Sequence, residues 1–220
     1  IVTAFSNLFG QGGAPLFSIQ RGKGNQEEAG HLMGNSFALL VISGLTLTVI
    51  GLLVKTPMLY LFGASDATYP YADAYLTVYL CGSIFVMIGL GMNGFINAQG
   101  FGKTGMMTVL VGAVINILLD PLFIFVFNMG VRGAALATVI SQAVSALWVL
   151  RFLTGKKAGI RLELKKMRLK WRRALDITVM GTSGFMMSIT NSLVQIFCNS
   201  TLQNYGGDAY VGVMTVLQSV

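Results

Sequence analysis

Charged residues are scarce in this chain of 220 residues. They make up 10% of the sequence, whereas ordinary soluble domains carry about 25%. Hydrophobic residues supply 54%, and the mean hydropathy is +0.71. This balance excludes an ordinary soluble domain and predicts an integral membrane protein that has the lipid bilayer as its surroundings.

Cysteine and histidine are also rare. Cys81 and Cys198 each stand alone in an apolar run, which excludes a disulfide framework or a thiolate metal site and favours packing roles. The single histidine, His31, is interpreted as a solvated residue at a helix start rather than a proton shuttle. No His or Glu lies inside an apolar run. An intramembrane enzyme needs a nucleophile–base pair or metal ligands there, so we predict no enzyme.

Long apolar runs follow one another along the chain. They cover residues 1–19, 32–54, 74–98, 106–127, 134–150 and 177–205, and another begins near residue 209. Runs of about 20 apolar residues are typical of transmembrane helices. We therefore predict an all-α integral membrane protein, a helix bundle of six spans plus the start of a seventh. Because the chain begins at Ile1 rather than Met and ends inside an apolar run, we expect a piece of a longer protein.

The basic residues are unevenly distributed between the loops. Segments 20–31, 99–105 and 151–176, on alternate sides of the spans, hold 13 of the 15 Lys and Arg residues, and only Lys55 and Arg132 lie on the opposite side. The positive-inside rule places the basic side in the cytoplasm. It also explains the net charge of +7 without a nucleic-acid partner.

Segment 151–176 combines many cations with apolar residues that alternate, such as Ile160, Leu162 and Leu164. We interpret it as a linker lying along a membrane surface. A charged anchor on the cytoplasmic side is the favoured interpretation. An anionic-lipid site or a regulatory switch is the alternative.

The fourth span holds the most informative stretch. Asp120 is the only charged residue among the 28 between Lys103 and Arg132. A central Asp costs roughly 2.5–3.5 kcal/mol in a membrane helix, so it predicts a functional residue that faces the protein interior. Asn116 lies one turn earlier on the same face. Pro121 lacks an N–H donor and therefore predicts a kink that acts as a hinge and frees a backbone carbonyl.

Polar side chains on the neighbouring spans offer partners for this carboxylate. The third span carries Asn93 and the fifth carries Thr138, and polar side chains in lipid seek one another. We predict that Asn93, Asn116, Asp120 and Thr138 form a cation- or proton-binding site. Carboxylate, amide and hydroxyl oxygens suit a proton or an alkali cation such as sodium, and they do not suit a soft metal.

Four stretches resemble multidrug and toxic compound extrusion (MATE) transporters. They are Asn-Gly-Phe-Ile-Asn-Ala-Gln-Gly at residues 93–100, Asn-Ile-Leu-Leu-Asp-Pro-Leu-Phe-Ile-Phe at 116–125 and Met-Gly-Val-Arg-Gly-Ala-Ala-Leu-Ala-Thr at 129–138. The glycine-rich stretch that covers residues 10–29 is similar to the turn between that family's second and third helices. The resemblance extends over essentially the whole chain, in order.

The resemblance implies twelve helices in two six-helix lobes. Residues 1–154 would form helices two to six of the amino-terminal lobe, and residues 155–173 would form a basic cytoplasmic linker. Residues 174–220 would begin the carboxy-terminal lobe with helix seven and the start of helix eight. The full-length protein would be a monomer that crosses a bacterial cytoplasmic membrane several times.

The resemblance also implies secondary active efflux of cationic or amphipathic organic compounds by alternating access. A proton or sodium ion would drive it in antiport, without any other cofactor. In the family's amino-terminal lobe, this ion is bound by residues that align with Asn93, Asn116, Asp120 and Thr138, together with an aspartate of helix one outside this chain. Some members carry an acidic residue in helix seven, which residues 177–205 lack, so a coupling site in the second lobe is in doubt.

Two other functions stay open at this point. A flippase for lipid-linked oligosaccharides has a similar architecture, but it should carry cationic residues in its central cavity, and here Lys and Arg stay in the loops. A scaffold subunit without transport activity would not need Asp120. A harmless substitution of Asp120 would therefore favour the scaffold.

Overall fold

The computed structural model describes residues 1–219, with the side chains of 164, 204, 206, 208, 209 and 215–219 left aside. This part of the chain is helical and contains no β-strand. The α-helices are α1 Val2–Gly22, α2 Gln26–Leu61, α3 Tyr69–Ala98, α4 Gly102–Pro121, α5 Gly130–Thr154 and α6 Trp171–Ser219. A π-helical turn, Leu122–Val126, follows α4, and a 3-10 turn, Leu164–Met167, precedes α6.

Four helices of the described chain are long and apolar enough to cross a membrane. They are α2, α3, the combined helix Gly102–Val126 and α5. The predicted first, sixth and seventh spans are helical as well, in α1 and α6, but these two helices do not reach the same apolarity. The predicted count of six spans plus the start of a seventh is therefore not confirmed. Helices α1 and α6 pack extensively against each other, so a smaller part of their surface has to match lipid.

Two boundaries differ from the sequence-based expectation. A loop was expected between Pro57 and Pro70, yet α2 continues through Pro57 to its end at Leu61. The sixth and seventh spans were expected to be separate, yet the helical hydrogen bonding continues through α6 except at Gly207, where φ is 66° and ψ is −167°. This conformation favours glycine because a Cβ atom would clash there, so Gly207 bends α6 at the place where a turn was predicted.

Helix α3 lies at the centre of the bundle and packs against α1, α2 and α5. The aromatic rings of Phe17 and Phe95 meet edge to face at 5.5 Å in its fully buried core. Gly10 allows α1 to approach α3 closely, since a Cβ atom there would lie 2.7 Å from the backbone of Gly91. Helix α4 packs mainly on α5. The packing of α3, α4 and α5 therefore positions the predicted polar residues.

The three basic segments meet at one end of the bundle, called the basic end from here on. An Arg21 Nη1 donor bonds the carbonyl of Ala98 at 2.9 Å, and Arg173 pairs with Glu28 at 2.6 Å. These contacts join segments 20–31, 99–105 and 151–176 across the sequence. The expectation that the segments share one side of the molecule agrees with this arrangement.

The linker differs from expectation in what its apolar residues contact. Ile160 and Leu162 are 6% exposed and belong to the hydrophobic core, rather than lying along a membrane surface. The backbone N–H of Ile160 donates to the Gln99 side chain at 3.0 Å. The linker is therefore docked on the helix ends, because buried apolar contacts there outweigh contact with the bilayer surface.

Candidate functional site: a polar cavity between three helices

A cavity of about 190 Å³ lies between α3, α4 and α5. Three of the four predicted site residues line it, one from each helix: Asn93 of α3, Asn116 of α4 and Thr138 of α5. The sequence offered no direct means of knowing how these helices are rotated about their axes. The structure thus brings together the three neutral polar residues of the predicted set.

Four further polar residues line the cavity that sequence reasoning missed. They are Thr108 on α4 and Ser141, Gln142 and Ser145 on α5. On α5 these positions follow Thr138 at spacings of three, four and seven residues, which place them on one helical face. This polar stripe inside an apolar span is the signal that would have identified them.

The contact between α4 and α5 depends on a glycine. Gly112 faces the Ser145 hydroxyl so closely that an added Cβ atom would collide with it. The Ser145 Oγ in turn donates to the backbone carbonyl of Thr108 at 3.2 Å. A small residue at position 112 therefore lets the two helices share a hydrogen bond across their interface, and this close approach encloses one side of the cavity.

Asn93 contributes an oxygen that lacks a partner. Its Oδ1 atom is buried and forms no hydrogen bond within the described part of the chain. Leaving such an acceptor unpaired costs about 1–3 kcal/mol. Thr138 Oγ1 donates to the carbonyl of Ala134 at 3.0 Å, so its lone pairs remain able to accept. Both oxygens are therefore available to a cation or to a proton donor in the cavity.

Asp120 lies one helical turn beyond the cavity wall. The amide Nδ2 of Asn116 is 3.4 Å from Asp120 Oδ1, a long hydrogen bond. Asp120 is partly buried, whereas Ile117 and Leu118 on another face of α4 are exposed. The expectation that Asn116 and Asp120 share a face agrees with this geometry. Asp120 itself is not among the residues that line the cavity, so Asn116 connects the carboxylate to it.

Pro121 does not produce the sharp kink that the sequence predicted. It keeps a helical conformation, with φ −60° and ψ −37°, and the chain widens into the π-helical turn Leu122–Val126. Within this turn, the N–H of Phe127 reaches the carbonyl of Leu122 at 3.0 Å. The missing proline donor is accommodated by a wider turn, which is a common feature near functional sites. The hinge role of Pro121 stays a prediction.

The arrangement combines neutral oxygen donors with one nearby carboxylate. Lys and Arg are absent from the described residues that line the cavity. Amide and hydroxyl oxygens of this kind bind hard cations or hydrogen-bond donors. The cavity can therefore hold a proton, as part of a hydrogen-bonded network, or a small cation whose charge the carboxylate of Asp120 balances.

Comparison with known proteins adds an independent line of observation. The family model described as MatE matches residues 1–122, more than half of the chain. The multidrug export protein MepA of Staphylococcus haemolyticus (strain JCSC1435) is 28% identical over 209 residues, which cover 95% of this chain and 46% of that protein. The chain spans about half the length of the curated relatives that it matches.

Solved structures show the same similarity in three dimensions. One is the inward-facing conformation of a multidrug resistance MATE family transporter of the MOP superfamily, with 26% identity and a TM-score of 0.92 over 97% of this chain and 49% of that one. Another is the MATE multidrug transporter DinF-BH, solved in complex with a drug-like ligand. It shares 36% identity and a TM-score of 0.93 over 99% of this chain and 49% of that one.

The fold and the cavity define a multi-pass helical membrane protein with a polar site between three of its helices. The chain belongs to the MatE family. Its matched relatives are multidrug transporters, a class of proteins that are not enzymes. The resemblance noted in the sequence is thereby confirmed.

Proposed function

We propose that the full-length protein exports cationic or amphipathic organic compounds in antiport with protons or sodium, by alternating access. One observation carries this proposal. Asn93, Asn116 and Thr138 converge on a single cavity, with an unpaired amide oxygen on Asn93 and the Asp120 carboxylate one turn away. Such a set of oxygen donors suits a coupling ion.

The proposed coupling acts through α4. Binding of a proton or a sodium ion neutralises the Asp120 carboxylate and changes its hydrogen bond with Asn116. The π-helical turn Leu122–Val126 follows directly, so a change at Asp120 can alter the local winding of the helix. Two conformations of α4 with different ion affinities would then be shifted in population by the ion, as alternating access between two lobes requires.

The proposed substrates are drug-like small molecules. This part of the proposal is supported by the multidrug export protein MepA among the sequence relatives and by the ligand complex of DinF-BH among the structures. A flippase for lipid-linked oligosaccharides is not favoured. The matched relatives are multidrug transporters, and the described lining of the cavity carries no cationic side chain for an anionic lipid phosphate.

Asp120→Asn in the full-length protein tests the proposal. The substitution keeps the size and the hydrogen-bonding capacity of the side chain but removes its charge and its ability to titrate. We expect ion-driven uptake of a drug into inverted membrane vesicles to fall by at least about tenfold, since the amide no longer exchanges a proton or balances a cation. Imposing a pH gradient or a sodium gradient separately identifies the coupling ion.

Asp66→Asn is the matched control. Asp66 is exposed at the opposite end of the bundle, where it accepts a hydrogen bond from the Tyr60 hydroxyl. The control should transport as the wild type does. Full ion-coupled transport by the Asp120→Asn protein at normal expression would mean that Asp120 is structural and that coupling occurs elsewhere.

A further inference from the structure

A second cavity, of about 300 Å³, opens at the basic end between the start of α4 and the end of α5. Thr104 and Trp148 lie on its helical walls. Arg151 extends from the last turn of α5, and Lys156 and Lys157 follow that helix. Three of the residues that line this cavity are thus cationic, and its described lining contains no acidic residue.

A glycine gathers these cations. Gly155 ends α5 in an extended conformation, with φ −75° and ψ 169°. A Cβ atom there would lie 2.8 Å from the Arg151 carbonyl and 3.3 Å from that of Phe152. Only a residue without a side chain lets the backbone pass this closely over the helix end. The turn places Lys156 and Lys157 beside Arg151 around one cavity, and the negative end of the helix dipole favours cations there.

The three cations have no acidic partner in the described part of the chain. Other cations of the basic end do: Arg173 pairs with Glu28, and Lys166 pairs with Glu163 at 3.2 Å. Like charges that share one cavity repel one another. An anionic ligand in the cavity would remove this repulsion, so the charge pattern indicates what the cavity binds.

The other wall of the cavity is apolar and aromatic. Trp148 lies one turn before Arg151 and is 41% exposed, and Phe152 packs edge to face on Phe101 at 5.1 Å. Tryptophan is enriched where lipid headgroups meet the acyl chains. A ligand that fits this cavity therefore combines an anionic group with an apolar body.

We propose that this cavity binds one anionic phospholipid of the cytoplasmic leaflet. Its phosphate lies among Arg151, Lys156 and Lys157, and its glycerol and upper acyl chains lie along Trp148 and Phe152. Basic pockets between transmembrane helices on the cytoplasmic side are suited to such headgroups. A free phosphate would satisfy the cations but would leave the aromatic wall uncovered. The proposal does not depend on what the protein transports.

Retention of lipid by the purified full-length protein tests the proposal. Native mass spectrometry measures bound phosphatidylglycerol and bound phosphatidylcholine for the wild type and for a variant with Arg151→Gln, Lys156→Gln and Lys157→Gln. The wild type should retain phosphatidylglycerol preferentially. The variant should lose at least about fivefold of that retention, because the cations that select an anionic headgroup are gone.

The matched control removes the same charge from outside the cavity. Lys165, Arg168 and Arg172 are exposed in the same linker and do not line this cavity, so their replacement by Gln should leave phosphatidylglycerol retention within about twofold of the wild type. An equal loss in both variants would overturn the proposal, since attraction would then be spread over the whole basic segment.

Two further measurements separate a lipid from a free anion. Trp148→Ala keeps every cation and should still lower phosphatidylglycerol retention, and inorganic phosphate at millimolar concentration should not displace the lipid. Unchanged retention in Trp148→Ala, or full displacement by phosphate, would overturn the lipid assignment. A variant with Arg151→Lys, Lys156→Arg and Lys157→Arg keeps the charge and should retain the lipid. Loss of retention there would contradict the role of charge even if the Gln variant were misfolded.

Discussion

At the scale of single residues, the two asparagines Asn35 and Asn93 show how differently a buried amide can be used. Asn35 is fully buried, and its side chain accepts from the N–H of Lys170 at 2.9 Å and donates to the carbonyl of His31 at 2.8 Å. The Oδ1 atom of Asn93 is buried without a partner in the described chain. Satisfied amides stabilise a fold, whereas an unsatisfied one carries a cost that function can explain.

Asn93→Ala and Asn35→Ala should therefore have opposite consequences in the full-length protein. Asn35→Ala strands backbone groups and should lower stability by about 1–3 kcal/mol. Asn93→Ala removes an unpaired acceptor, so its stability should stay within about 0.5 kcal/mol of the wild type, while ion-coupled transport falls. Thr138→Val should transport most like the wild type, because it removes only a neutral hydroxyl.

Thermal unfolding of the purified proteins and drug uptake into inverted vesicles measure these two effects separately. Equal destabilisation by Asn93→Ala and Asn35→Ala would show that both amides are structural. The candidate site would then lose the oxygen that most clearly awaits a ligand.

At the scale of helices, glycines determine how closely α1 and α6 approach. A Cβ atom on Gly12 would collide with the carbonyl of Ile177, and one on Gly181 would collide with the carbonyl of Leu8. The two backbones are therefore in direct contact where they cross. Small residues at such crossings allow dispersion contacts that larger residues exclude. This explains why the glycines that weaken α1 as an isolated helix strengthen it within the bundle.

Gly12→Ala should separate these helices and destabilise the full-length protein by roughly 1–3 kcal/mol, the usual range for overpacking. Gly22→Ala, at the end of the same helix, is the control, because an added Cβ atom there meets no atom within 4 Å. The midpoint of thermal unfolding in detergent provides the comparison. Equal midpoints for the two variants would show that α1 and α6 tolerate a wider separation.

At the scale of the whole molecule, the linker is fastened to the basic end rather than suspended from it. Both guanidinium nitrogens Nε and Nη2 of Arg173 bond the carboxylate of Glu28 at 2.6 Å. The hydrogen bond with Glu28 raises the pKa of Arg173, so the pair stays charged at physiological pH. Asn35 holds the backbone of Arg168 and Lys170 nearby. The linker therefore moves together with the helices on which it is docked.

Arg173→Gln should release the linker and expose its many trypsin sites. We expect trypsin to cleave segment 155–173 of the full-length protein in inverted vesicles several times faster, because cleavage follows local opening. Arg172→Gln is the control, since this neighbour is exposed and belongs to none of the ion pairs of the described chain. Equal cleavage rates in the two variants would mean that the other contacts alone hold the linker.

Much of this architecture follows from local properties of the sequence. Asn116 and Asp120 are four residues apart, so helical periodicity alone places them on one face, and a hydrogen bond of 3.4 Å joins them. Polar residues at spacings of three, four and seven on α5 carried a similar signal. The ends of α2 and the continuity of α6 could not be predicted in this way, because Pro57 and Gly207 take conformations that their neighbours impose.

The sequence by itself determined the membrane class of the protein and the side on which its basic segments lie, since both depend on composition and order along the chain. Only the tertiary structure decided that Asn93 and Thr138 reach the same cavity as Asn116, and that Asp120 lies one turn outside it. These positions depend on the rotation and spacing of packed helices. Contacts such as that of Gly112 with Ser145 determine them, and no local pattern records such contacts.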